Sequence, residues 1–316
     1  MTTDLSQTPG LPAAADAGPE LQPSTEDSPA HQAMALLAQH RLVTTTQMQQ
    51  MVMPGAARQS MSEVLNTLRE GKLISYTVLA RSSTLRAWYL TPRGARVVAG
   101  WPELRGRPAQ PLGGSAEASL RAAHTLTVVR AHLAFLADAR ARGDEYGPLD
   151  WVPEVAHRLP DTGGEDKLIA DSVLHYAATA PRRLQYRAFV EVDRATMSSE
   201  RLARKLISYA RFHDYTPPGP GRRNTVADQA AMLAWQRFYP RFPRVLFVLT
   251  GAGDDALRRR INDLRAMVAG HPLVTQLAGH VPLGAAVLED MERHGASGPV
   301  WRPLSGTDEP RSWMDL

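Results

Sequence analysis

Four carboxylates fall in this chain where β-strands would hold them still. Glu154 lies in Trp151-Val152-Pro153-Glu154, Asp171 in the apolar run Leu168–Leu174, and Glu191 and Asp193 in Phe189-Val190-Glu191-Val192-Asp193. A carboxylate inside an apolar strand is costly unless it is paired or binds a metal. Strand alternation puts Glu191 and Asp193 on one face with Phe189. Lys205 follows twelve residues after Asp193 in the next expected helix, with Tyr209 one turn further on the same side. Acids on adjacent strands beside an ammonium suit divalent-metal phosphodiester chemistry. Asp171, Glu191 and Glu154 would hold Mg²⁺, Asp193 would assist, and Lys205 would position water or stabilise developing charge. The plainer alternative ends Asp171 at solvent, pairs Glu191 or Asp193 with Arg194 or Lys205, and catalyses nothing.

Other chemistries are poorly served. Cysteine is absent, which removes thiolate zinc sites, iron–sulfur clusters and cysteine nucleophiles. The ten histidines show no HxxxH spacing, and no serine nucleophile motif is present. Gly251-Ala252-Gly253 lacks the spacing of a nucleotide loop and reads as a strand-to-helix turn. His124 reads as a packed helix histidine, and Trp151 and Trp301 as core.

The elements that must position the acids follow from periodicity. Ser115–Arg142 is a long helix, with Leu120, Ala123, Leu126, Val129, Leu133 and Leu136 expected on its apolar side. Strands are expected at Leu149–Leu159, Lys167–Tyr176 and Tyr186–Asp193. Ser198–Tyr215 is a basic amphipathic helix that should pack on the sheet, 216–224 a loop, and Val226–Tyr239 a further helix. Val245–Thr250 is a buried strand, Asp254–Ala269 a helix, and Ala285–Leu288 a second parallel strand closing a βαβ unit. The class is mixed α/β.

Ahead of this lie three short helices and a hairpin. His31–Gln39 is the first helix, a threonine caps a second that ends before Pro54, and Arg58–Glu70 is the third, stopped by Gly71. Lys72–Ala80 and Leu85–Leu90 would form the hairpin. This is the order of a winged helix–turn–helix, whose third helix would enter the major groove of double-stranded DNA. Arg58, Gln59, Ser60 and Ser62 would then face base edges, and Arg81 and Arg86 the phosphates. Winged helices also serve as protein-interaction modules, which is the competing reading.

Charge supports a polyanion partner. Residues 1–30 carry five acids and no Lys or Arg, whereas residues 31–111 carry ten Lys/Arg against Glu63, Glu70 and Glu103. A positive field concentrated on one small unit suits nucleic acid. The expected division is an acidic disordered tail (1–30), a winged helix (31–98), a Pro/Gly-rich linker (99–114), an α/β domain (115–305) and a C-terminal tail (306–316). No apolar run is long enough to span a bilayer, and the N-terminus carries no basic and apolar leader pattern, so a cytoplasmic protein is expected.

Glu191-Val192-Asp193-Arg194-Ala195-Thr196 with Leu202, Lys205 and Tyr209 resembles the replication-relaxation family of plasmid and mobile-element proteins. The resemblance takes in Trp151/Glu154, Asp171, His124-Thr125-Leu126, Trp88–Gly94 and Val300-Trp301-Arg302, so it covers roughly residues 31–302. It implies a DNA-associated protein of plasmid replication or relaxation, with a winged helix followed by a restriction-endonuclease-like domain. That nuclease pattern carries an Asp on one strand and Glu-x-Lys on the next. Asp171 and Glu191 match the first two positions, Asp193 stands where Lys is expected, and Lys205 would substitute from the helix. Two functions follow: a Mg²⁺-dependent endonuclease or nickase, or a non-catalytic DNA-binding regulator. In the second, the degenerate domain mediates homodimerisation or docks replication or mobilisation proteins.

Overall fold

A computed structural model describes residues 28–79, 84–107, 109, 111–159, 167–217 and 232–316. Among these, nine α-helices accompany a three-stranded antiparallel sheet and a six-stranded mixed sheet.

The N-terminal unit runs α1 (Pro29–His40), β1 (Val43–Thr44), α2 (Thr45–Val52), α3 (Arg58–Glu70), β2 (Ile74–Val78) and β3 (Arg86–Leu90), with sheet order β1-β3-β2. Local chemistry explains the boundaries. Ser28 accepts from the His31 amide and Pro29 opens α1, while Thr44 and Gln47 form a reciprocal capping box on α2. Met61, Leu65 and Leu68 form the buried stripe of α3, and Gly71 ends it. One more helix, α4 (Pro92–Val98), follows where periodicity gives no warning; the Thr91 cap and Pro92 at its first position start it.

Helix α5 (Ser115–Arg142) serves both sheets. Its first turns lie on the small sheet, where Ala118 and Ala122 pack against Leu42, Ala87, Tyr89 and Leu112. Its later turns cover the large sheet through Val128, Phe135, Leu136 and Ala139. The expected apolar side is corrected here: Leu120 is 87 % exposed and Ala123 is exposed. Two alanines four residues apart let the hairpin approach closely, so small residues rather than leucine mark the buried face. The boundary expected at residue 115 therefore falls at the start of a helix that is shared.

The large sheet has order β4-β5-β6-β7-β8-β9. β4 (Trp151–Arg158), β5 (Lys167–Ala178) and β6 (Leu184–Asp193) form an antiparallel meander. β7 (Arg244–Leu249) and β8 (Leu283–Val287) then run parallel to β6, and β9 (Arg302–Pro303) returns antiparallel. α6 (Ser199–Asp214), α7 (Asp254–Val268) and α8 (Pro272–Ala278) cover one face, burying Phe189, Phe247 and Leu249 against Leu206, Leu257 and Leu277. α5 and α9 (Leu288–His294) lie on the other. β7 is buried on both faces, which is why it reads as an unbroken apolar run.

Three expectations change. Of the helix expected over 226–239, residues 226–231 lie outside the described residues, and the rest forms only a 3₁₀ turn at Ala234–Arg237. The expected 306–316 tail is pinned: Trp313 is fully buried against Phe135, Tyr176 and Tyr186. In the 99–114 linker, Leu104 is buried and Arg107 donates to the Leu149 carbonyl at 2.8 Å. Trp151 and Trp301 are core, as expected. Gly251, at φ +87°, makes the β7–α7 turn; a Cβ there would lie 2.7 Å from the Arg194 carbonyl oxygen.

Candidate active site

The antiparallel pairing of β5 and β6 brings Asp171 and Glu191 to the same end of neighbouring strands. The ladder ends at Ser172–Val190, one residue short of both acids, and from there Asp171 turns to α5 while Glu191 turns to α6. Asp171 Oδ2 accepts from the Val192 amide at 2.8 Å, and Oδ1 lies 3.3 Å from His124 Nε2 on α5. Glu191 is 2 % exposed. Its carboxyl is pushed up to about 8, chiefly by burial and then by the Asp171 charge, against the opposing pull of Lys205 and Tyr209. Lys205 and Tyr209, four residues apart on α6, both reach it. Lys205 Nζ stands 3.4 Å from Glu191 Oε1 and donates to the Ile169 carbonyl at 2.5 Å. The Tyr209 hydroxyl donates to the same Glu191 oxygen, and its own ionisation is pushed well above the usual range, first by burial and then by Glu191.

The other two acids are engaged elsewhere. Asp193 is buried on the α6/α7 side and accepts from Arg260 at 2.7 Å. Its second oxygen receives the Thr196 and Met197 amides, both at 3.2 Å, which closes the turn after β6. Glu154 lies on β4 level with Asp171, between the pairs Pro153–Ser172 and Val155–Ala170. It is half-exposed and meets Arg41 at 2.6 Å. Both partners hold positive φ, +64° for Arg41 and +53° for Glu154, backbone that non-glycine residues adopt only under constraint. Among the described residues, no group of three or more His, Asp or Glu is arranged to hold a metal ion.

Asp171, Glu154, Arg41, Arg107 and His124 line a cavity of about 300 Å³ between the end of α1, α5 and β4. His124 is therefore corrected: its side chain is 48 % exposed and bonded to Asp171 rather than packed in a core. That bond is the first cause of its raised pKa, against burial. Arg41, Arg107 and Arg260 carry no spacing signal, since each reaches the site from a distant element. On the N-terminal unit, Arg58 and Gln59 are exposed at the start of α3, with Gln59 donating to Glu63. Ser60 and Ser62 are half-buried, and Ser62 donates back to the Arg58 carbonyl. Arg86 stacks 4.5 Å over the Tyr76 ring. Arg81 lies outside the described residues.

No curated protein and no solved structure matches the chain. A family model described as Replication-relaxation matches residues 34–223, a span that runs from α1 through Asp171, Glu191, Lys205 and Tyr209 but stops short of Arg260. With more than half of its length matched, the chain belongs to the replication-relaxation family.

Proposed function

We propose that this protein binds double-stranded DNA in plasmid replication or relaxation and cuts or nicks it at the Asp171–Glu191–Lys205 group. The observation that carries the cutting step is that Asp171, at the wall of an open cavity, lies close enough to the buried Glu191 to raise its pKa, while Lys205 stands 3.4 Å from Glu191. This matches the nuclease pattern with the lysine supplied from α6. Asp171 and Glu191 would suffice for Mg²⁺, which keeps most of its shell as water and substrate phosphate, with Glu191, whose pKa is raised to about 8 by burial, giving up its proton on binding. Bound there, the cation would polarise the phosphoryl oxygen and lower the pKa of an attacking water. Glu191 is held by the Tyr209 hydroxyl and Asp171 by the Val192 amide. Lys205, held by the Ile169 carbonyl, offers its charge to an incoming phosphate.

For duplex docking, the order helix, short strand, two helices and hairpin supports a winged helix–turn–helix. Ala57 gives α3 no side-chain cap, so its first amides remain available to a phosphate.

The rival reading, a non-catalytic regulator that dimerises or docks replication proteins through the larger domain, is favoured by a different observation. Asp193 and Glu154 are each consumed by an arginine, which leaves two acids rather than four. Incubation with supercoiled plasmid and Mg²⁺ decides between them. Asp171→Asn and Glu191→Gln should each reduce cleavage at least about a hundredfold while duplex affinity stays within about twofold. Wild-type protein that binds duplex without cleaving it would leave the regulator.

A further inference from the structure

A second cavity, about 1200 Å³, opens at the end of the large sheet opposite Asp171 and Glu191. The start of β6, the end of β5, the entries to β7 and β8 and the last turn of α6 border it. Arg187 precedes Glu191 by four residues on β6, about 13 Å along the strand.

Its walls are cationic. Arg183 is neutralised by Glu145 at 2.6 Å. Arg187, Arg241 and Arg244 form no ion pair among the described residues, and Arg187 Nε donates only to His175 Nδ1 at 3.3 Å. Arg244 lies 5.1 Å over the Tyr186 ring and donates one amino group to the Met314 carbonyl, yet its other amino nitrogen is buried with no hydrogen-bond partner. Asp150 also lines the cavity and Asp315 acts on Arg244 from nearby. Three guanidinium groups without an ion pair among the described residues, one with a buried unused donor, still leave the concavity in favour of an anion.

The same walls carry flat rings. His213 lies parallel to Trp235 and to His280, with centroids 6.0 and 6.2 Å away and planes 11° apart in each case. Phe242 stands edge-on to both His213 and Trp235. An acidic peptide would satisfy the arginines and leave this aromatic wall without purpose. A duplex would satisfy them too, but it hides its base faces. A nucleic-acid single strand offers phosphates and exposed bases together.

We infer that this groove binds single-stranded nucleic acid, with Arg187, Arg241 and Arg244 on the phosphates and the His280, His213 and Phe242 rings, backed by the buried Trp235, against the bases. The inference stands whether or not Asp171 and Glu191 cut DNA. The test is fluorescence anisotropy of labelled oligothymidylate and oligouridylate with the full chain, in EDTA so that no cleavage intervenes. Arg187→Ala/Arg241→Ala should weaken binding about tenfold and make the log K against log salt slope shallower by about 1.4, two phosphates at about 0.7 each. Arg187→Lys/Arg241→Lys should keep the slope, and Arg259→Ala, at an exposed position of α7 that does not line the groove, should leave strand binding unchanged. Arg241 is exposed, so Arg241→Ala alone, which disturbs no packing, should lower the slope by about 0.7. Wild-type affinity and slope in both alanine variants would overturn the inference. So would displacement of the strand by charge-matched polyglutamate as effective as displacement by unlabelled oligothymidylate.

Discussion

Asp171 and Asp193 are chemically alike and sit on neighbouring strands, yet their surroundings assign them opposite duties. Asp193 is buried against Arg260 and closes a turn with its second oxygen. Asp193→Ala would strand a buried guanidinium, so urea denaturation should show a loss of about 3 kcal/mol or more. Asp171 faces a cavity and holds one backbone amide. Asn in its place keeps that acceptor, so Asp171→Asn should move stability by less than about 1 kcal/mol even where it abolishes cleavage. Spacing alone does not separate the two. Both sit in apolar strands, and Arg260, which settles the matter, arrives from a helix 67 residues further on. The contact of Glu191 with Lys205 and Tyr209 is legible because strand alternation and helix periodicity bring the three together locally. His124 is not, because a histidine on a helix announces neither its exposure nor a partner on another element.

At the scale of elements, helix α3 shows what a sequence specifies well. Its start, its apolar stripe and its glycine stop all agree with one another, and the observed span is Arg58–Glu70. Arg58 projects from its exposed first turn. If α3 docks on duplex as proposed, Arg58→Ala should weaken duplex binding and reduce the salt slope by about 0.9 for each phosphate that Arg58 neutralises. A salt titration with an unchanged slope would remove Arg58 from the docked surface. Helix α5 shows the opposite case. A single periodic stripe assumes one partner, whereas α5 has two, and its buried face is set by Ala118 and Ala122 on one sheet and by Phe135 and Leu136 on the other. The 3₁₀ turn at Ala234–Arg237 is hidden for another reason. Its place is fixed by tertiary interactions, with Trp235 donating to the His213 carbonyl at 3.0 Å, rather than by a local pattern.

Across the whole molecule, the junction between the two sheets is closed by buried histidines that must stay neutral. His40, at the end of α1, lies 3.2 Å from His132 Nδ1 on α5, with Gln39 beside it. His132 stacks on Trp151 and meets Tyr146 edge-on. Burial lowers His40 to about 3 and His132 well below its ordinary value, the latter also through His40 and Arg140. In the second core, burial lowers His157 to about 4. A histidine whose folded pKa is depressed contributes stability that is present above its unfolded pKa of about 6.5 and lost as pH falls below it. At pH 5 the loss should be about 2 kcal/mol for each of His40 and His157. Urea midpoints should therefore fall between pH 7.5 and 5, and His40→Leu should flatten that fall. The junction also fixes geometry. Ser115 of α5 donates to Thr77 on the hairpin, and nine residues later the same rod presents His124 to Asp171, about 14 Å further along its axis. No hinge intervenes between hairpin and carboxylate. If the hairpin grips duplex and Asp171 takes part in cutting it, as proposed, the strand is measured off like cloth against a rule, and each break should land at one set offset, within half a turn of the double helix, from the sequence being held.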